Sequence, residues 1–399
     1  MNAARFLLLL AWLFSFAGAT NAAPSVINAP DLSKVRYHPH SSHPLPADAA
    51  QAAHDFRLHT LPYWTFGFTY QGSNYYPEYV VGNLTFYHGG TSTITVAIVP
   101  VKFRFPSYID PATGQPFETD AAPDVPLVLD SPVFVASQYS TGFTQYQDAA
   151  QRASFYGFYR PNWHTLLVPR VLSPITIDVP ADKGVLFATP GTSTLILAMD
   201  ETWFQDLQLQ LNSALHIPVE QLAVLLTHDT LLYFNGDPVN GCCSASWHGY
   251  NVTGFKNGVY DVQTFVWGSW FTPDIVGTDL ADVYALTHEI AEWANDPFEL
   301  NPVPRWDFPQ GPNFVYPPGA CSSAPFGTAG DQFALIEVAD PLELSTYSYP
   351  VTLSGYTYHL AEQAMVSWFT RDVPSTAIHG AYSFPDEAAL PGPSLPCPG

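Results

Sequence analysis

Basic residues are what this chain has least of. Lys and Arg together number 13 in 399 residues, against 35 Asp and Glu, for a formal charge of −22. A nucleic-acid partner is excluded on that ground, because holding a polyphosphate requires a basic face that displaces counterions. Charge of either sign is thin, at 12%, while 47% of residues are apolar and 15% aromatic. That balance excludes disorder over most of the chain and predicts a large buried core. Cysteines number four, with no second CxxC or CxH spacing beside them, which argues against a Cys-rich metal site. No stretch reaches the roughly 20 apolar residues of a bilayer span without Pro, Gly or a charge, so no membrane span is expected.

What is present begins with Arg5, an apolar run from Phe6 to Phe14 and the small-residue stretch Ala17 to Ala23. This reads as a secretory signal peptide over residues 1–22, placing the protein outside the cell or in the periplasm. In an exported protein the cysteines favour disulfides, and a bridge from the adjacent Cys242/Cys243 pair to Cys321 is preferred over direct bonding of the neighbours. Residues 23–60, rich in Pro, Ser, His and Ala, read as an extended leader.

Residues 61–270 read as a β-rich region with two helices. Tyr79 to Val81, Asn83 to Tyr87 and Ser92 to Phe105 are β-branched or aromatic runs split by glycines, and Gly184 to Leu197 and Ala223 to Phe234 are dense aliphatic runs. Thr144 to Tyr156 and Phe204 to Leu215 carry helical patterns. In residues 271–399 the spacing predicts a long helix from Asp279 to Pro297, an irregular segment from Asn301 to Gly330, a strand from Tyr347 to Tyr358 and a closing helix from His359 to Phe369. The expected fold class is α+β, with a β-rich N-terminal part and a helix-centred C-terminal part.

The Asp279 to Pro297 helix carries the chemistry. Val283, Leu286, Ile290 and Trp293 form a stripe for the core, which stacks His288, Glu292 and Asp296 on the other side at i, i+4 and i+8, with Glu289 beside them. A helix that presents His and a second ligand one turn apart can hold a metal, and Glu at i+1 can then act on its water. Glu is scarce, with 11 in the chain, yet Glu289, Glu292 and Glu299 fall close together. The alternative is an ordinary amphipathic helix, purely structural, whose polar residues sit opposite the apolar stripe without holding any ligand. Glu337 and Asp340, in Glu337-Val-Ala-Asp340-Pro341, are the best candidates to complete a ligand shell, with a turn and helix cap as their plainer role. His359-x-x-Glu362 is a weaker candidate, and His228 and His248 read as ordinary core or surface residues.

The HExxExxxDP helix, the E-V-x-D-P segment, TQYQDAAQRASFY, CCSASWHG and YHLAEQAMVSWF together resemble a group of uncharacterised exported bacterial proteins. The helix motif is also distantly similar to the phosphate-induced, EXORDIUM-like secreted proteins. His288-Glu289 and its helix resemble zincin metallopeptidases, with Glu292 replacing the usual second His. That resemblance implies a shared site in a zincin-like C-terminal part, and with the helix geometry the expected function is a secreted metal-dependent hydrolase, with a peptidase as one form of it. Glu289 would be its general base, and His288, Glu292, Asp296 and Glu337 its metal ligands. The implied cofactor is a divalent metal, with zinc favoured and calcium possible, since a carboxylate ligand hardens the site. The resemblance supplies no substrate; the expected partner is an unknown extracellular substrate, a peptide or a cell-surface polymer. A noncatalytic secreted binding protein for glycans or cell wall, with structural calcium or no metal, is the alternative.

Overall fold

In a computed structural model of the chain, the structure describes residues 26–30, 32, 47–55, 57–83, 87–189, 194–276, 280–304, 306, 334–343 and 348–393. The expected signal peptide, Cys321, Cys397, the Asp279 helix start and nearly all of the expected irregular segment lie outside them. Strands dominate, and helices pack on them, so the fold mixes α and β throughout.

The labelled strands, in chain order, are β1 (Tyr63–Tyr70), β2 (Ser73–Val81), β3 (Gly90–Ile109), β4 (Trp163–Val171), β5 (Gly184–Ala188), β6 (Leu195–Asp200), β7 (Leu222–His228), β8 (Thr230–Tyr233), β9 (Ser246–Lys256) and β10 (Val259–Trp270). In the main sheet β3 pairs in parallel with β4 and with β7, β7 pairs in parallel with β10, and β10 pairs antiparallel with β9. The second sheet holds β5, β6 and β8, with Val26–Asn28 on one edge and Cys242–Ser244 on the other.

Both faces of the main sheet are covered, which is why its strands read as continuous apolar runs. Four helices are labelled α1 (Ala47–His54), α2 (Tyr146–Ser154), α3 (Glu201–Ala214) and α4 (Tyr284–Asn295), and α2, α3 and α4 do most of this covering. Val96, Ile98, Val224, Leu226 and Val266 share a cluster with Tyr146 and Ala149 of α2 and with Leu286, Ile290 and Trp293 of α4. On the other face Ala97, Val99, Ala223, Leu225 and Trp267 pack with Phe204, Leu207 and Leu211 of α3. The alternation of neighbouring residues between these clusters follows from the two-residue period of a strand. Among the described residues no helix is long and apolar enough to cross a membrane.

Two sequence expectations need correction. The described parts of residues 23–60 join the body. Val26–Asn28 pairs with β5, and Ala49 and Ala53 of α1 are buried against Tyr63, Tyr79 and Phe298. The Ala-rich run there has high helix propensity, which the average composition of the stretch hides. The C-terminal stretch is a hairpin of β11 (Ser348–Leu353) and β12 (Tyr356–Ala361), turned at Ser354 and Gly355, both at positive φ. The closing helix shrinks to one turn, Val366–Phe369. His359 is held in β12 because the Asp282 carboxylate accepts from its backbone N–H at 2.9 Å and lies 2.6 Å from its Nδ1. The sulfur atoms of Cys242 and Cys243 adjoin each other, and the preferred partner Cys321 lies outside the described residues.

Candidate metal centre

Helix α4 is 12 residues long and starts at Tyr284, later than the pattern predicted. Asp282, at φ 46°, turns the chain and gives its carboxylate to His359. The apolar stripe lies where expected, on the main sheet. The opposite side is buried as well: His288, Glu289, Glu292 and Asp296 are all 0% exposed.

That side is covered by β9 and by residues 334–343. His288 Nε2 lies 3.2 Å from Glu292 Oε1 and 3.2 Å from Asp340 Oδ1. Glu292 Oε1 also accepts from the backbone N–H groups of Ala339 and Asp340, at 3.2 Å each, which fastens this segment to the helix. Glu289 Oε1 accepts from Ser246 Oγ at 2.7 Å, and its Oε2 lies 3.1 Å from His248 Nδ1. His248 Nδ1 is 3.8 Å from Glu292 Oε2. Three overlapping groups offer ligand atoms within 4.8 Å of one another: His288 with Glu289 and Glu292, His288 with Asp340 and Glu343, and His248 with Glu292 and Glu337.

Asp296 belongs to none of these groups, contrary to the expectation of a ligand. It ends α4, and its carboxylate accepts from the N–H groups of Leu300 at 2.9 Å and Asn301 at 3.0 Å. Asn301 in turn bonds both backbone groups of Tyr79 on β2, at 2.6 and 2.7 Å. His359 and Glu362 lie elsewhere, bound to Asp282 and to the Asp386 backbone. His228 stands between Asp124 and Asp229.

Sequence reasoning missed His248 and Glu343. Glu343 follows Asp340 on the one-turn helix Asp340–Glu343, so the i, i+3, i+6 spacing of Glu337, Asp340 and Glu343 was the available signal. His248 carried no such pattern, because only the β9 pairing brings it to α4.

The electrostatics are those of crowded buried carboxylates. Burial and then the charge of Glu292 push Glu289 well above the usual carboxylate range, with His288 and Ser246 acting against the shift. Burial pushes Glu292 up to about 7, with His288 pulling back. Glu337 is raised by burial and by its carboxylate neighbours Glu292, Asp296 and Asp340. Burial opposes a charge on His288, yet Glu292 and Asp340 hold its pKa well above the ordinary value. Buried charges of one sign are costly unless protons or a cation compensate them. Two imidazoles and five carboxylates at close range form a donor set that suits a divalent metal. Set beside known proteins, the chain matches no family model, no curated protein and no solved structure.

Proposed function

We propose that this chain is a secreted metal-dependent hydrolase of zincin-like type, acting on an extracellular peptide or cell-surface polymer. The observation that carries the reading is His288 Nε2 lying 3.2 Å from both Glu292 and Asp340, with Glu289 in the same group of potential ligands as His288 and Glu292. His288 and Glu292 would hold the metal from adjacent turns of α4, and Asp340 or Glu337 would complete the shell. A divalent metal in that position supplies Lewis acidity for a substrate carbonyl and lowers the pKa of water. Glu289 is oriented by Ser246 and His248, and its raised pKa suits it to take a proton from an attacking water and return it to the leaving group.

A second reading, a noncatalytic secreted binding protein with a structural calcium, draws on the complete burial of the group and its excess of oxygen donors. Elemental analysis after dialysis against metal-free buffer separates the two. Near-stoichiometric zinc that is lost in a His288→Ala/Glu292→Ala variant supports the hydrolase; calcium supports the second reading; absence of metal overturns the hydrolase and leaves a binding protein without metal. Glu289→Gln is expected to abolish hydrolysis in a peptide-library screen while metal content and folding stay intact.

A further inference from the structure

We infer that the centre is built for two divalent metal ions, with Glu292 as the carboxylate between them. This rests on the reading of His288 and Glu292 as ligands and adds a second site that uses His248 and Glu337.

The argument starts from the two oxygens of Glu292. Oε1 is the atom 3.2 Å from His288 Nε2, which also lies 3.2 Å from Asp340. Oε2 is the atom 3.8 Å from His248 Nδ1. The two imidazoles therefore address different oxygens of one carboxylate, and they come from different elements, α4 and β9. Each has its own further carboxylates: Asp340 and Glu343 group with His288, and Glu337 groups with His248 and Glu292. A carboxylate shared by two ions, each with one imidazole and further oxygens, is the arrangement of two-metal hydrolytic and carboxylate-bridged sites.

Charge points the same way. Glu289, Glu292, Glu337, Asp340 and Glu343 bring five carboxylates into a region where all but Glu343 are 0% exposed. With all five ionised, one divalent ion would offset two of the negative charges and two ions would offset four. An independent observation adds one more buried carboxylate, in electrostatic reach of Asp296. Glu78 of β2 is 0% exposed, and among the described residues neither of its carboxylate oxygens has a hydrogen-bond partner. The charge of Asp296 reaches both Glu78 and Glu337. The chemical class of the ligand is a first-row divalent cation such as zinc or manganese, since each site joins imidazole nitrogen to carboxylate oxygen.

The test loads the dialysed full chain with Mn²⁺ or Zn²⁺ and counts bound metal by elemental analysis, with circular dichroism to check folding. Two ions per chain are expected, falling to one in His248→Ala and in the conservative Glu337→Gln. The Mn²⁺-loaded protein should give the spin-coupled resonance of a pair, replaced by the signal of an isolated ion in either variant. One ion per chain, unaffected by either substitution, would overturn the second site and leave the proposed function standing. No bound metal would overturn both.

Discussion

Gly268 of β10 and Leu286 of α4 stand so close that a β-carbon on the glycine would lie 3.0 Å from the Leu286 Cα. Backbone meets backbone there, so neither side can give way by a side-chain rotation. The missing side chain is what lets α4 settle on the sheet. Gly268→Ala should lift the helix and destabilise the protein by about 1–3 kcal/mol, the usual cost of overpacking. Metal affinity should fall with it, because His288 and Glu289 follow Leu286 by two and three residues. A thermal melt beside a metal titration checks this; unchanged values for both would mean the close approach seats nothing.

Asp296 offers a test of position against pattern. Its spacing from His288 and Glu292 suits a ligand, but its oxygens receive the amides that shape the turn to Asn301. Asp296→Ala is therefore expected to cost about 2 kcal/mol of stability, the scale of hydrogen bonds to a charged group, while bound metal is unchanged. Denaturant titration and elemental analysis on the same sample decide it, and a loss of metal would return Asp296 to the ligand set.

His228 gives a pH signature away from the centre. Its Nδ1 is 2.8 Å from Asp124 and its Nε2 is 3.1 Å from Asp229. Burial opposes its charge, but the two carboxylates outweigh burial and push its pKa up to about 10, from an ordinary 6.5. Asp124 itself sits above the usual range, because burial outweighs its bond to His228. A histidine with a raised folded pKa contributes stability that is complete below about 6.5 and is lost as pH rises through about 10. His228→Asn should thus be less stable than the wild type by about 2 kcal/mol near neutral pH, with the gap closing above about pH 10. Equilibrium denaturation across that range reads it directly, and a gap independent of pH would sink the assignment.

Glu362 shares that direction with pH, but its substitution should stabilise rather than destabilise. Both of its carboxylate oxygens are 3.2 Å from the Asp386 amide, yet burial pushes its pKa up to about 8. The folded state disfavours the ionised form, so stability falls as pH rises from about 4.5 to about 8 and then levels off. Glu362→Gln removes that penalty. The variant should exceed the wild type by a few kcal/mol at about pH 8 and match it near pH 4, as measured by urea midpoints at the two pH values.

Periodicity makes much of this fold legible in the sequence. The run from Ser92 to Phe105 lies within β3, TQYQDAAQRASFY contains α2, and Leu286, Ile290 and Trp293, with Val283 just before the helix, mark the sheet-facing side of α4. The far side of α4 is not legible in the same way, because a helical pattern identifies a core side only when the other side is wet. Its cover comes from His248, 41 residues before Glu289, and from Asp340, 48 residues after Glu292. His359 departs from expectation for a related reason: a local helix pattern loses to the distant carboxylate of Asp282. Asp296 keeps the right spacing and takes another role, since the turn after α4 draws its oxygens into local bonds.

The clamp of Asn301 on Tyr79 spans 222 residues of sequence. A ribosome delivers β2 long before the side chain that satisfies its outer edge exists. The front of the molecule must wait with polar backbone exposed, and closure of such a long loop makes folding slow. Truncations that stop short of residue 301 should therefore accumulate as aggregates, and the buried carboxylates of α4 cannot meet Glu337 and Asp340 until residues 334–343 have been made.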